Sequence, residues 1–352
     1  MSEIKFLVFA DLHYKKMMYA TKVSDLEKIM KRAEDEGAEL VLHEGDFCND
    51  YIRSPEIFRV LHGTEIPVFG VYGNHELETM GNTMQVVTPR LTNAPENAIF
   101  GTSDGKIGDG SIGYYYYDTG DFRFIFLDAN YSLMPDGVTY EHNREGSWGA
   151  PMGNSRKEAL GTEQLVWLEN VLNDAAENGK HCIVNAHPSF TGVWQSSPDH
   201  KRVRELYAEA NARRAGTVMM SINGHYHTNR SLIIDNVFYL DTNVAINGWW
   251  QSEAFSPYAE SDPSSPVYTF DFTDYNENGE SISTKKVSYS RLAMGSKTLF
   301  FTEPLSAVVT VTSDGEISVK GSKTEWAYGI VSDRFYEGVM PEITDRVVKL
   351  SI

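Results

Sequence analysis

Gly73-Asn74-His75-Glu76 follows directly on the apolar run Ile66-Pro67-Val68-Phe69-Gly70-Val71-Tyr72. A buried strand that ends in Gly-Asn-His sets a neutral oxygen ligand and an imidazole side by side at the open edge of a sheet, where ligands bind. Four other short runs stand in the same relation to an apolar, strand-like segment, and each is built of hard-metal ligands. They are Asp11-Leu12-His13, Gly45-Asp46, Asn185-Ala186-His187-Pro188 and Gly224-His225-Tyr226-His227.

Between these runs the chain alternates. Lys5 to Ala10 predicts a strand, and Thr21 to Gly37 a helix, with Val23, Leu26, Ile29, Met30 and Ala33 on one face and Gly37 as its stop. Glu39 to His43 predicts a strand, Pro55 to Leu61 a short helix and Ile66 to Tyr72 the next strand. That order means an α/β sheet with helices packed outside. Tyr114 to Tyr117 and Phe122 to Leu127 pair across an Asp118-Thr119-Gly120 turn. Gly161 to Asn178 is a helix with Leu165, Trp167, Leu168, Val171, Leu172 and Ala175 on one side. Cys182 to Val184, a basic helix from His200 to about Gly216, Val218 to Ile222 and Val237 to Leu240 continue the pattern.

Two stretches, 78–113 and 131–156, keep no period; the second holds Arg144, Trp148 and Arg156. They are expected to carry specificity as substrate-covering loops or to be irregular insertions. Beyond Trp250 only strands and turns follow: Val267 to Phe272, Ser281 to Tyr289, Ala307 to Val311 and Glu316 to Lys320, with Ser313-Asp314-Gly315-Glu316 as a hairpin turn. A Ser/Pro/Asp-rich stretch near 250–265 marks a soft boundary between residues 1–250 and a β-rich extension, 251–352. The extension is expected to pack on the core or on a neighbouring subunit.

Taken in order, Asp-x-His, Gly-Asp, Gly-Asn-His-Glu, a lone His and Gly-His-x-His resemble the calcineurin-like metallophosphoesterase superfamily over residues 1–247. The resemblance implies an α/β fold, a four-layer α-β-β-α sandwich, here with the β-rich C-terminal extension. It implies a phosphoesterase that opens a phosphomonoester or phosphodiester of a small phosphorylated substrate by attack of a metal-bound hydroxide on phosphorus. Two metal ions about 3.5–4 Å apart supply the nucleophile and the positive charge such a reaction needs. By position Asp46 is the bridging carboxylate; Asp11, His13 and His227 complete one site, and Asn74, His187 and His225 the other. Imidazole, carboxylate and amide oxygen without thiolate suit Mn, Fe or Zn. Iron members with a charge-transfer tyrosine carry it three residues after the bridging Asp, where this chain has Asn49, so no tyrosinate ligand is expected.

His75 matches the family histidine that faces substrate without binding metal, stabilising charge and protonating the leaving oxygen. Many relatives orient that imidazole with an Asp at the place of Asn49; Asp50, one residue later, is the alternative. Glu76 reads as a helix N-terminal carboxylate or a partner of the ligands. His43, His62, His142, His181 and His200 lack motif context and read as structural or exposed. Asp274 to Gly279 imitates half a calcium loop, but Lys285 stands where a bidentate Glu is required, so it reads as a hairpin turn. Tyr114 to Tyr117 read as core or rim; Trp249 and Trp250 are weak candidates for the substrate rim.

Composition bounds the rest. At 352 residues the chain can bury a large core, and its 41% apolar and 23% charged residues are those of a globular protein. No apolar run is long enough to span a membrane. A net charge of −18 argues against a nucleic-acid surface, and so against a DNA nuclease. Cys48 and Cys182 are the only cysteines, which suits a reducing compartment. Met1 to Ala10 runs straight into the first motif, and a cytoplasmic location is expected. The remaining alternative, a non-catalytic scaffold of the same fold, is disfavoured because every ligand position and His75 are filled.

Overall fold

The computed structural model describes residues 2–14, 21–101, 113–143, 156–193, 196–249, 267–275, 281–290, 298–325 and 340–352. Strand β1 (Glu3–Phe9) has Phe6, Leu7, Val8 and Phe9 all buried. Cover on both faces is why it reads as an unbroken apolar run rather than an alternating one. Helix α1 (Val23–Asp35) buries Leu26, Ile29, Met30 and Ala33, the predicted stripe, and the chain leaves it through Gly37 at φ +64°. Then come β2 (Leu40–His43), α2 (Pro55–His62) and β3 (Val68–Gly70), with β1, β2 and β3 parallel.

The one-turn α3 (Met84–Val87) and β4 (Ile99–Phe100) lie in the first irregular stretch. The predicted hairpin is β5 (Tyr115–Thr119) with β6 (Phe122–Phe126). In the second irregular stretch and just after it, β7 (Tyr131–Leu133), β8 (Tyr140–His142) and β9 (Arg156–Ala159) form a small sheet in the order β8-β7-β9, which no periodicity announced. Next are α4 (Thr162–Glu177), β10 (His181–Asn185), α5 (His200–Arg213), β11 (Val218–Asn223), β12 (Arg230–Ile234) and β13 (Val237–Asp241). Strands β6, β10, β11 and β13 are parallel, and the seven-stranded sheet runs β12-β13-β11-β10-β6-β5-β4. Strand β12 was not expected from the sequence. It turns into β13 through Asp235 and Asn236, both at positive φ, the two-residue turn those residue types favour.

Two antiparallel ladders follow: β14 (Asn247–Trp249) pairs with β17 (Thr298–Phe300), and β15 (Val267–Tyr275) with β16 (Ser281–Ser290). Residues 276–279 of the turn read in Asp274 to Gly279, and Trp250, lie outside the described residues. Finally β18 (Ala307–Thr312), β19 (Glu316–Lys320) and β20 (Arg346–Lys349) extend the first sheet to β20-β19-β18-β1-β2-β3. This sheet crosses the compositional boundary near residue 250, since β18 lies antiparallel to β1 from Glu3↔Thr312 to Val8↔Ala307.

The two sheets meet face to face. Phe6 packs edge-on against Phe124 at 5.3 Å, and Phe69 stacks on Phe126 at 5.5 Å. Along β6, Phe122, Phe124 and Phe126 join this inter-sheet core, whereas Ile125 packs with Trp167, Leu168 and Val203 of α4 and α5. Residues of α1 and α2 close the first sheet from its other side. The result is the expected α-β-β-α sandwich. No helix among the described residues is long and apolar enough to cross a membrane.

Candidate metal centre

The five motif runs leave the carboxyl ends of β1, β2, β3, β10 and β11, strands of both sheets, so the sandwich delivers them to one edge. Asp11, His13, Asp46, His225 and His227 all have φ between +49° and +69°. L-residues avoid that region, and its concentration on five of the seven predicted ligands is backbone strain stored at a site. Tight packing holds it: a Cβ at Gly224 would lie 2.6 Å from Asp11 Oδ2, and one at Gly73 would collide with Asp46.

The donors fall into two groups around Asp46. In the first, Asp11 Oδ1 lies 3.2 Å from His227 Nε2 and 3.9 Å from His13 Nε2, and the two imidazole nitrogens are 3.3 Å apart. In the second, Asn74 Oδ1 lies 3.0 Å from His187 Nε2 and 3.1 Å from His225 Nδ1. Asp46 Oδ2 is 3.3 Å from His187 Nε2 and 3.9 Å from His13 Nε2, one member of each group. Asp46 Oδ1 instead accepts the backbone N–H of His75 at 2.8 Å.

The donor set fits a pair of metal ions. His187 Nδ1 donates to the Glu44 carbonyl at 2.6 Å, which turns Nε2 inward as a lone-pair donor. Burial alone would lower the His187 pKa, yet the carboxylates of Asp46 and Asp11 raise it to about 10, the response of a buried anionic nest that calls for positive charge. Burial likewise raises Asp46, but His187, His75 and His13 overcome it and hold the carboxyl well below its usual range.

His75 Nε2 stands 3.8 Å from Asp46 Oδ2, close enough that distance alone groups His13, Asp46 and His75 as donors to one ion. Its other nitrogen settles the ring's orientation, because Nδ1 hydrogen-bonds Glu78 Oε2 at 2.6 Å. Asn49 Nδ2 donates to the same oxygen at 2.7 Å. Neither sequence candidate for orienting His75 does so directly; Asp50 Oδ1 accepts Arg53 N instead. The missed signal is the spacing His75-x-x-Glu78, closed by a turn in which Glu78 N donates to His75 O.

Residues 74–77 form a turn, so Glu76 has no helix to cap. Its fully buried carboxylate collects the N–H groups of Asp46 (2.9 Å), Phe47 (2.7 Å) and Gly73 (2.5 Å) and the Tyr51 hydroxyl (3.2 Å). Glu76 thus ties the Asp46 loop to the Gly73 loop. Burial and the Asp46 charge push its pKa up to about 7, while His187 and the backbone donors pull it down.

A second missed carboxylate is Glu158 on β9, whose Oε2 is 3.5 Å from His225 Nε2 and whose own φ is +61°. The histidines set aside are structural. His43 is buried, with burial lowering its pKa to about 3; His62, His181 and His200 bond to backbone carbonyls. His142 is held by Asp128 at 3.1 Å. Of the tyrosine run, Tyr114 and Tyr115 are core.

The family model described as calcineurin-like phosphoesterase matches residues 4–229. None of the curated proteins matches the chain. Among solved structures, a dimetal phosphatase from Danio rerio aligns with a TM-score of 0.56 at 14% identity, over 99% of this chain and 99% of its own. GAP50, described as the anchor in the inner membrane complex of Plasmodium, aligns at 0.46 and 12% identity over 100% and 90%. The first likeness is one of fold.

Proposed function

The chain belongs to the calcineurin-like phosphoesterase family, and we propose that it is a dinuclear-metal phosphoesterase acting on a phosphomonoester or phosphodiester of modest size. The observation that carries this reading is the gathering of Asp11, His13 and His227 on one side of Asp46 and of Asn74, His187 and His225 on the other. Those seven residues would hold the two ions, with Asp46 shared. Bound there, the ions would activate water at neutral pH and supply positive charge to a phosphoryl group. The thiolate-free donor set favours Mn, Fe or Zn.

His75 does the work that is the chain's own. With Nδ1 occupied by Glu78, its Nε2 is the nitrogen turned toward Asp46. There it stabilises charge building on the phosphoryl group and gives a proton to the leaving oxygen as the P–O bond breaks; water supplies the new oxygen on phosphorus. Cys48 and Cys182, both buried and not joined in a disulfide, support a reducing, cytoplasmic setting. A panel of aryl and alkyl mono- and diesters, assayed with added Mn and with chelator, tests the reading. Hydrolysis that requires metal is expected; full activity in a metal-free preparation would overturn it.

A further inference from the structure

We propose that Glu78 is the positioning residue of His75, with Asn49 holding Glu78 in place, so that an acid three residues along the chain does what a neutral amide at position 49 cannot. The inference rests on the phosphoesterase reading and deepens it. Three contacts carry it. Glu78 Oε2 meets His75 Nδ1 at 2.6 Å, a short hydrogen bond to a carboxylate oxygen. Asn49 Nδ2 donates to that same oxygen at 2.7 Å. Glu78 N closes the turn on His75 O at 3.2 Å, which fixes the carboxylate at three residues' distance along the chain.

The consequence is a division of labour. Asn49 is buried and cannot itself accept a proton's charge, but its amide donates, and a donor is what keeps a carboxylate from swinging to solvent. Glu78, partly exposed, is thereby held against Nδ1. That fixes the ring plane and leaves Nε2 for the substrate side. Neither residue reaches the predicted metal ligands directly in these contacts, so removing the carboxylate should disturb the imidazole and spare the ions.

The test uses the metal-loaded full chain and four proteins: the wild type, Glu78→Gln, His75→Ala and the double variant. For an alkyl phosphoester, kcat of Glu78→Gln should fall on the order of 10- to 10²-fold, a part of the 10²–10⁴-fold carried by a positioned acid, with KM and metal content unchanged. The fall should shrink for a p-nitrophenyl ester, whose leaving group needs no proton. In the His75→Ala background Glu78→Gln should add nothing, because a positioning residue has no effect without the group it positions. The exchange Asn49→Asp with Glu78→Gln returns a carboxylate to the pair and should recover kcat above Glu78→Gln alone. Additive losses, equal losses on both esters, or lost metal would overturn the proposal. If the wild type hydrolyses and His75→Ala is impaired while Glu78→Gln is not, this inference alone fails; if the wild type neither binds metal nor hydrolyses any ester, the phosphoesterase reading fails.

Discussion

Replacing Glu76 by Gln tests whether the bridging loop is held by a buried charge. In the wild type Oε2 accepts from Asp46 N and Gly73 N, and Oε1 from Phe47 N and Tyr51 Oη. The amide can turn either way. With its NH₂ at the Oε2 place, two backbone N–H groups face a donor. With its NH₂ at the Oε1 place only Phe47 N–H does, because the Tyr51 hydroxyl can rotate and accept. The second arrangement is the cheaper. One buried donor left without an acceptor costs about 1–3 kcal/mol, and the bonds that remain lose charge assistance worth about 1 kcal/mol. The variant should therefore be destabilised by about 2–4 kcal/mol in urea unfolding, and should bind metal more weakly because Phe47 N, the amide next to Asp46, loses its acceptor and the bond from Asp46 N loses its charged partner. A variant within about 0.5 kcal/mol of wild type, the scale of an inert surface change, would refute the bracing role.

Glu158→Gln should weaken one of the two ions by about 10–10²-fold, read by competition with a chelator, since outer carboxylates orient ligating imidazoles; unchanged affinity for both would leave Glu158 without that role. His142 has its pKa raised above 6.5, because the Asp128 carboxylate outweighs burial, which acts to lower it. A raised folded pKa means stability fully present below the unfolded value of 6.5 and lost as pH rises through the folded value. The stability difference between wild type and His142→Gln should therefore be largest on the acid side of a series from about pH 5.5 to about pH 9, and a difference that grows with pH would contradict the pairing.

What could be read in the sequence was local. The apolar runs that end in Asp-x-His, Gly-Asp or Gly-His-x-His state both the strand and its ligand within a few residues, so the structure gathers all seven predicted donors. Helices α1 and α4 were legible for the same reason, their stripes lying at helical spacing. What escaped depends on distance or on turn geometry. That β18 adds to β1 is a pairing across some three hundred residues, and nothing in Ala307 to Thr312 names its partner. Glu158 meets His225 across some sixty-seven residues of chain, from β9 paired with β7, a contact no local pattern states. Glu76 looked like a helix cap because a carboxylate after Gly-Asn-His suits a helix start; a turn stands there instead, and the charge binds loops. Glu78 was near at hand, but a His-x-x-Glu spacing is informative only once the turn that closes it is known.

The most direct measurement is the number of metal ions per chain, by elemental analysis, in the wild type and in Asp46→Asn. Asp46 Oδ2 stands between His187 of one donor group and His13 of the other. The wild type should carry close to two ions, and Asp46→Asn should lose affinity for both together, along with hydrolysis. Loss of a single ion from the variant, with the other held as before, would contradict a shared carboxylate and with it the dinuclear centre.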